Sequence, residues 1–390
     1  LVLGESLEGH VFISKFRYAL GTLVVQGGGN AGNALTCVAR LGLNPRLISK
    51  VANDAQGKSI LEELESDGVD TSFFIVSEEG NSPFTYIIVD NETKTRTCIH
   101  TPGYPPLIPD ELSQSQLLSA LDGANMVYFD GRLYETALII AKEAACKNIP
   151  ILVDAERERE GLDDLLNFAS YAICSARFPQ AWTKAPSLPS ALLSMLLRLP
   201  NLKFVIVTLG QDGCIMLERS VFSTMFAGGS DAEETDIHGL LESLKQRKDE
   251  SKTIPTCISS VVTILSANGI GTVFGRLFIG TAEKIPPSEL VDTTGAGDAF
   301  IGAVVYGTFI PSDLISLQLL FSERLNIFMF NLKVARNRLH LAVGLWEPER
   351  VFHTEQIHAW RPSCDMSTML EVMVPERSYE SHIDRVLEFD

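Results

Sequence analysis

The chain has 390 residues, 45% hydrophobic and 21% charged, which suits one large α/β domain with insertions or two ordinary domains and excludes a disordered chain. Its formal net charge of -17 argues against a nucleic-acid binder, whose affinity comes from clustered Lys and Arg, and for a small-molecule substrate. The seven cysteines, Cys37, Cys98, Cys146, Cys174, Cys214, Cys257 and Cys364, are scattered without a C-x-x-C pair, as in reduced thiols of a cytoplasmic protein. No apolar run reaches the roughly 18 residues that span a bilayer, and no secretory leader opens the chain. It begins at Leu1, which leaves organellar targeting open.

From Thr22 to Asp212 short β-branched runs alternate with longer amphipathic ones, the rhythm of stacked strand and helix units. LVV at 23–25 predicts a strand, followed by a Gly-rich turn and a helix over NALTCVARLGL. RLISKV predicts a strand and GKSILEELESDG a helix. FFIVS, FTYIIVD, TRTCIH, MVYFD, PILVDA, YAICS and KFVIVTLG follow as strands, interleaved with helices such as ETALIIAKEAACK. This order predicts a mostly parallel sheet with helices on both faces. Only NETK separates FTYIIVD from TRTCIH, so the pair predicts a hairpin turning at Asn91 and Glu92, part of a small lid sheet. From about Val221 to Ile264 an acidic run and a mixed-charge helix, with little strand character, predict a surface insertion. Beyond about Phe321 basic and aromatic residues alternate without a clean period.

Chemistry concentrates in ELVDTTGAGDAFIGAVVYG, residues 289–307. A turn of Gly295, Ala296 and Gly297 runs straight into an apolar helical stretch, which places backbone N–H groups at a helix N-terminus where they can hold an anion. Asp298 falls in the first turn, where the helix dipole favours its ionised form. Such a carboxylate can accept a hydroxyl proton while the turn stabilises a transferring phosphoryl group. On its own, G-A-G-D also describes a plain capped helix start. In QGGGNAGNALTCVARLGL, residues 26–43, three glycines make a tight turn and Asn30 and Asn33 offer amides suited to sugar hydroxyls; alone it also reads as a dinucleotide loop or a connection. KFVIVTLGQDGCIML, residues 203–217, is a strand, a glycine turn and a second strand. The seven histidines lack a second ligand at helical or hairpin spacing, and RERE and KQRKDESK read as solvated helix faces.

The string V-D-T-T-G-A-G-D-A-F resembles the C-terminal signature of the PfkB (ribokinase-like) carbohydrate kinases, and QGGGNAGNALTCVARLGL resembles their N-terminal one, G-G-x-x-x-N-x-A-x-x-x-A-R-L-G. The resemblance implies a ribokinase-like three-layer α/β/α fold with a mostly parallel central sheet and a small β lid. The kinase domain is expected at 22–318, with the 221–264 insertion, and a divergent segment at 319–390. It implies Asp298 as catalytic base, Gly295, Ala296 and Gly297 as anion hole, Gly28, Gly29 and Asn33 as substrate contacts, and Thr208, Gly210 and Gly213 as ATP contacts. Asp292 and Thr294 match positions that bind a monovalent cation. ATP, Mg2+ and K+ are the implied cofactors. A sugar-like substrate is the implied partner, without nucleic acid or membrane, in a homodimer formed through the lid. FDGR at 129–132 and VDAERER at 153–159 further resemble the ketohexokinase-like branch.

The ends depart from that pattern. The family's first strand, G-x-x-x-x-D, carries an aspartate that grips two substrate hydroxyls, whereas the first aspartate here is Asp54. The absence predicts weak sugar binding and an unpaired sheet edge. The N-x-x-E motif is replaced by CSARFPQ, with Arg177 and Gln180 at its polar positions. A sugar kinase, a nucleoside kinase and a catalytically impaired binding protein therefore all stand as readings. A dehydrogenase is the weaker reading, although GGGNAG at 27–32 fits G-x-G-x-x-G, because the same stretch carries the kinase-like signature.

Overall fold

The computed structural model describes residues 29–89, 96–220, 234–286, 294–309 and 385–389, all within the unit formed by 27–333 and 376–390. Helix α1 (Asn30–Arg40) buries Ala31, Ala34, Leu35 and Val38, spaced i, i+3, i+4 and i+7 as an inward stripe requires. Strands β1 (Asn44–Ile48) and β2 (Lys50–Ala52), helix α2 (Ala55–Ser66) and β3 (Ile75–Ser77) follow, with β2 and β3 parallel. Strands β4 (Phe84–Val89) and β5 (Arg96–Thr101) form the expected antiparallel hairpin; its turn at Asn91 and Glu92, like the strand at 23–25, lies outside the described residues.

The next elements repeat the strand and helix unit: α3 (Gln114–Ala120), β6 (Ala124–Phe129), α4 (Tyr134–Cys146), β7 (Ile151–Ala155), α5 (Leu162–Leu166), β8 (Tyr171–Ser175), α6 (Phe178–Thr183), α7 (Leu188–Arg198) and β9 (Phe204–Thr208). The chain continues through β10 (Cys214–Arg219), β11 (Glu234–Asp236), α8 (Ile237–Gln246), β12 (Cys257–Ser259), β13 (Thr263–Ala267), β14 (Gly271–Gly280), α9 (Ala296–Phe309) and β15 (Arg385–Phe389). The central sheet runs β1-β15-β6-β7-β8-β9-β10-β14-β13-β11, with β12 also beside β14. It is parallel from β1 to β9 and antiparallel through β10, β14 and β13.

Strand alternation divides the core into two layers. Val127, Phe129, Val153, Ala155, Val205 and Val207 face one cluster, which includes Leu117 of α3, Ile140 of α4 and Leu192 of α7. Met126, Tyr128, Leu152, Ile173 and Ile206 face the other, with Leu35 of α1 and Val304 of α9. Burial on both faces explains why these strands read as continuous apolar runs. The three-layer ribokinase-like fold with a small hairpin is thus the one expected. Among the described residues no helix is long and apolar enough to cross a membrane.

Two parts differ from expectation. The stretch read as a surface insertion is, from Glu234 on, built into the molecule: β11 pairs with β13 in the central sheet, and α8 buries Ile237, Leu241 and Leu244. The charged face of α8, including the Glu242 and Lys245 pair, obscured that stripe in the sequence. The C-terminal segment, where no clean period was found, contributes β15, which lies parallel between β1 and β6 and joins their backbones, while β1 stands at the end of the described sheet. Next to it the buried Arg46 of β1 donates from Nη1 to the carbonyls of Ser119, Ala120 and Asp122, satisfying the C-terminal end of α3.

Candidate active site

The carboxyl ends of β6 to β9 point to one rim of the sheet, the place where open α/β sheets take ligands. Two helices begin there, each led by a glycine that side chains would strain. Gly29, at φ 98°, accepts the first helical bond of α1 from Asn33 N–H at 3.0 Å. Gly295, at φ 74°, accepts that of α9 from Ala299 N–H at 2.9 Å. In a helix the N–H groups ahead of that first bond point out of its N-terminus, here those of Ala296 and Gly297. Among the described residues a Cβ added to Gly295 or Gly297 would meet nothing within 4 Å, which leaves the backbone of the turn open to an anion.

The two first turns are joined. Asn33 Nδ2 donates to Asp298 Oδ2 at 2.7 Å, across 265 residues of sequence. One turn later the helices are packed too closely for any side chain at Gly302, whose Cβ would stand 2.7 Å from Ala34 O and 2.7 Å from Cys37 Cβ. Cys37 Sγ lies 3.6 Å from Ala299 O, and burial pushes its thiol up to about 12, so the sulfur serves packing and not nucleophilic attack. The candidate base Asp298 and the candidate substrate residue Asn33 are therefore one hydrogen-bonded unit, with Gly29 and the Gly295, Ala296 and Gly297 turn at the heads of their helices. Gly28 and Asp292 lie outside the described residues, and Thr294 is exposed just ahead of the turn.

Thr208 ends β9, on the same sheet face as Ile206, and donates from Oγ1 to Cys174 O at 3.4 Å. Gly210 and Gly213 follow in the turn to β10 with φ of 61° and 87°, and a Cβ on Gly213 would lie 2.0 Å from Gly280 O. These three residues share the rim with the helix starts. Arg177 and Gln180 sit exposed at the start of α6, with Gln180 Nε2 donating to Pro186 O at 3.4 Å.

Sequence reasoning passed over two carboxyls at the same rim. Asp154 follows Leu152 on β7 by two residues and Asp130 follows Tyr128 on β6 by two, so both take the face occupied by α1 and α9. Asp130 is 2% exposed, and its Oδ2 pairs with Arg132 Nε at 3.1 Å. Burial, and then the charges of Glu156 and Asp298, push Asp154 up to about 8 against the opposing pull of Arg159 and Arg132. The strings FDGR and VDAERER were visible; that strand parity turns their aspartates to the face covered by α1 and α9 was the unused signal. Among the described residues no group of three or more His, Cys, Asp or Glu is arranged to hold a metal ion.

The model of the pfkB family carbohydrate kinase matches residues 17–228 and 233–313. Ribokinase of Mus musculus is 23% identical over 314 residues, spanning 78% of this chain and 74% of that protein. Guanosine-inosine kinase of Exiguobacterium acetylicum is 30% identical over 119 residues, 30% of this chain and 39% of that protein. Among solved structures, Anopheles gambiae adenosine kinase in complex with P1,P4-di(adenosine-5) tetraphosphate superimposes with a TM-score of 0.54 at 17% identity, covering 75% of this chain and 76% of that one, and shares its fold. Because the matched residues take in both glycine-led helices and the strands between them, the chain belongs to the pfkB family of carbohydrate kinases.

Proposed function

We propose that this chain transfers the γ-phosphate of ATP to a hydroxyl of a sugar or sugar-like small molecule, with Asp298 as general base and the Gly295, Ala296 and Gly297 turn as anion hole. The observation that carries this reading is the Asn33 to Asp298 hydrogen bond, which places a carboxylate between two helix N-termini. Asp298 takes the proton of the attacking hydroxyl as its oxygen bonds to phosphorus, and ADP leaves with the bridging oxygen. The N–H groups of Ala296 and Gly297 meet the charge on the transferring group. Gly28, Gly29 and Asn33 contact the acceptor, and Thr208, Gly210 and Gly213 line the nucleotide side. Mg2+ enters as part of the Mg–ATP substrate. Asp292 and Thr294 are the candidates for a monovalent cation such as K+, testable as a KCl dependence of turnover. The domain is taken as 22–318, with β15 added to its sheet from the 319–390 segment.

FDGR and VDAERER favour a ketose-type acceptor within the sugar class. A nucleoside acceptor is the second reading, favoured by the match to guanosine-inosine kinase. The β4–β5 hairpin is taken as a lid and as the contact for a second copy of the chain. The test is ADP release by purified protein against a panel of ketoses, aldoses and nucleosides. One sugar should stand out, and Asp298→Asn should lower its kcat by about 10² or more with ATP binding retained. Full turnover by that variant would overturn the role of Asp298. ATP binding without ADP release on any acceptor would favour the binding-protein alternative.

A further inference from the structure

We propose that the cavity between α5, α6 and the last turn of α7 binds a small organic anion carrying a phosphate or carboxylate group, at a place separate from the phosphotransfer site. The cavity measures about 260 Å³ and is lined by Glu158, Arg159, Leu162, Asp163, Trp182 and Arg198. That is well above the ~30 Å³ share of one water and below the roughly 300–1,000 Å³ of pockets for drug-sized ligands, so it suits a molecule of a few carbons. Leu162, Phe178 and Leu192, which anchor α5, α6 and α7, belong to one core layer, and α1 and α9 pack on the other. The cavity therefore lies on the opposite face of the sheet from the helices that carry Asn33 and Asp298.

Contacts around Trp182 hold the wall in place. Its Nε1 donates to Asp163 Oδ1 at 2.5 Å, the Phe178 ring stacks against it with centroids 6.3 Å apart, and the Arg198 guanidinium lies 5.5 Å from its ring centre. Arg198 Nη2 donates to Thr183 O at 2.6 Å, and among the described residues no carboxylate pairs with this guanidinium. Four of its five N–H donors are thus unspent on a side chain already oriented by the indole. Arg159 uses Nη2 on Glu156 at 3.0 Å and brings the rest of its fork to the same cavity. The two carboxylates of the wall are engaged: Asp163 accepts from the indole, and Glu158 pairs with Lys184 at 3.2 Å. Two planar forks with donors to spare, on one small cavity beside an aromatic ring, match the oxygens of a phosphate or carboxylate group.

The test is calorimetry on the full chain at fixed ionic strength, with Mg2+ and a non-hydrolysable ATP analogue present to occupy the phosphotransfer site. The probes are glycerol 3-phosphate, succinate and, as the uncharged control, glycerol. At least one of the two anions should bind saturably and glycerol should not; which anion binds tells a phosphate site from a carboxylate site. Affinity for that anion should fall about tenfold or more in Arg198→Gln and in Arg159→Gln. Because Arg198 also packs on Trp182, Tm is measured for both variants, and Arg159→Gln carries the test if Arg198→Gln fails to fold. No saturable binding of either anion, equal binding of glycerol, or unchanged affinity in the folded variants would overturn the proposal. So would stronger binding of serine, whose ammonium group would make Asp163 and Glu158 the recognition groups. Asp298→Asn should leave the anion affinity unchanged; its loss there would place the anion in the phosphotransfer site and overturn the proposal, whereas full turnover by that variant overturns only the role of Asp298.

Discussion

The seam between α1 and α9 and the β4–β5 hairpin show two opposite uses of apolar surface. At the seam Ala31, Ala34, Val304 and Val305 are buried and backbone meets side chain at Gly302, so Asn33 and Asp298 are held by packing as well as by their hydrogen bond. On the hairpin, Tyr86 is 57% exposed and Ile99, opposite it in the register, 52%. Phe84 packs edge-on against Tyr86 at 5.2 Å, and Ile87 on the other face is also exposed. A two-stranded hairpin of this kind is marginal alone. Its base is pinned by Asp54, the cap of α2, which accepts from Gly57 N–H at 2.6 Å, Ser82 N–H at 2.9 Å and the Ser82 hydroxyl at 2.7 Å. The difference teaches that packing fixes the seam where phosphoryl transfer is proposed, while the hairpin leaves its apolar area uncovered among the described residues.

The contrast can be broken most sharply at Gly302. Gly302→Val should cost about 1–3 kcal/mol by overpacking, visible as a lower Tm, and turnover should fall further than ATP affinity because Asn33 and Asp298 separate. An unchanged Tm and kcat would remove the seam from the argument. Next, Asn33→Ala should raise the sugar KM with less effect on the ATP KM and, since Asn33 also holds Asp298, should lower kcat as well. Equal losses for both substrates would count against its placement.

Acid probes the base of the hairpin. Burial pushes the Asp54 carboxyl up, but the hydrogen bonds from Ser82 and Gly57 together outweigh it and leave the pKa below 3.8. A lowered folded pKa contributes stability that is present above the unfolded value and is lost as pH falls from about 4 through the folded value. Asp54→Asn should therefore lose Tm at pH 7 and show a shallower acid decline below pH 4; the same decline in both proteins would acquit Asp54. The smallest effect on the fold itself belongs to Tyr86→Ser with Ile99→Ser. Exposed in the single chain, they should change its Tm little, while light scattering shows a dimer reduced to monomers if the hairpin is its contact. A dimer of undiminished strength would place the contact elsewhere.

How far these features were legible followed from their range. The G-A-G-D turn and the sheet rhythm are local, a glycine run against an apolar stretch and strands buried on both faces, so residue order sufficed. The bond from Asn33 to Asp298 joins signatures 265 residues apart, and only the shared rim brings them together. Gly302 looked like one more small residue in an apolar helix until Ala34 and Cys37 were found against it. Asp154 needed two facts that sequence withholds: which face of β7 the aspartate takes, and that α9 covers that face. The stripe of α8 was present as Ile237, Leu241 and Leu244, yet the acidic run before it and the charges within it argued for solvent.

The position of β15 bears on how the molecule is made. Strands β1 and β6 are synthesised early, but the backbone that joins them is Arg385–Phe389, more than 250 residues after β6 ends at Phe129. A chain emerging from the ribosome at ~5–20 residues per second holds these two facing ladders open for tens of seconds before their common neighbour arrives. During that interval the nascent sheet is exposed to a strand of another chain, and closing so long a loop is also a slow step in refolding. The central sheet is therefore expected to be completed late, once β15 has been made, as a chaperone-sensitive event.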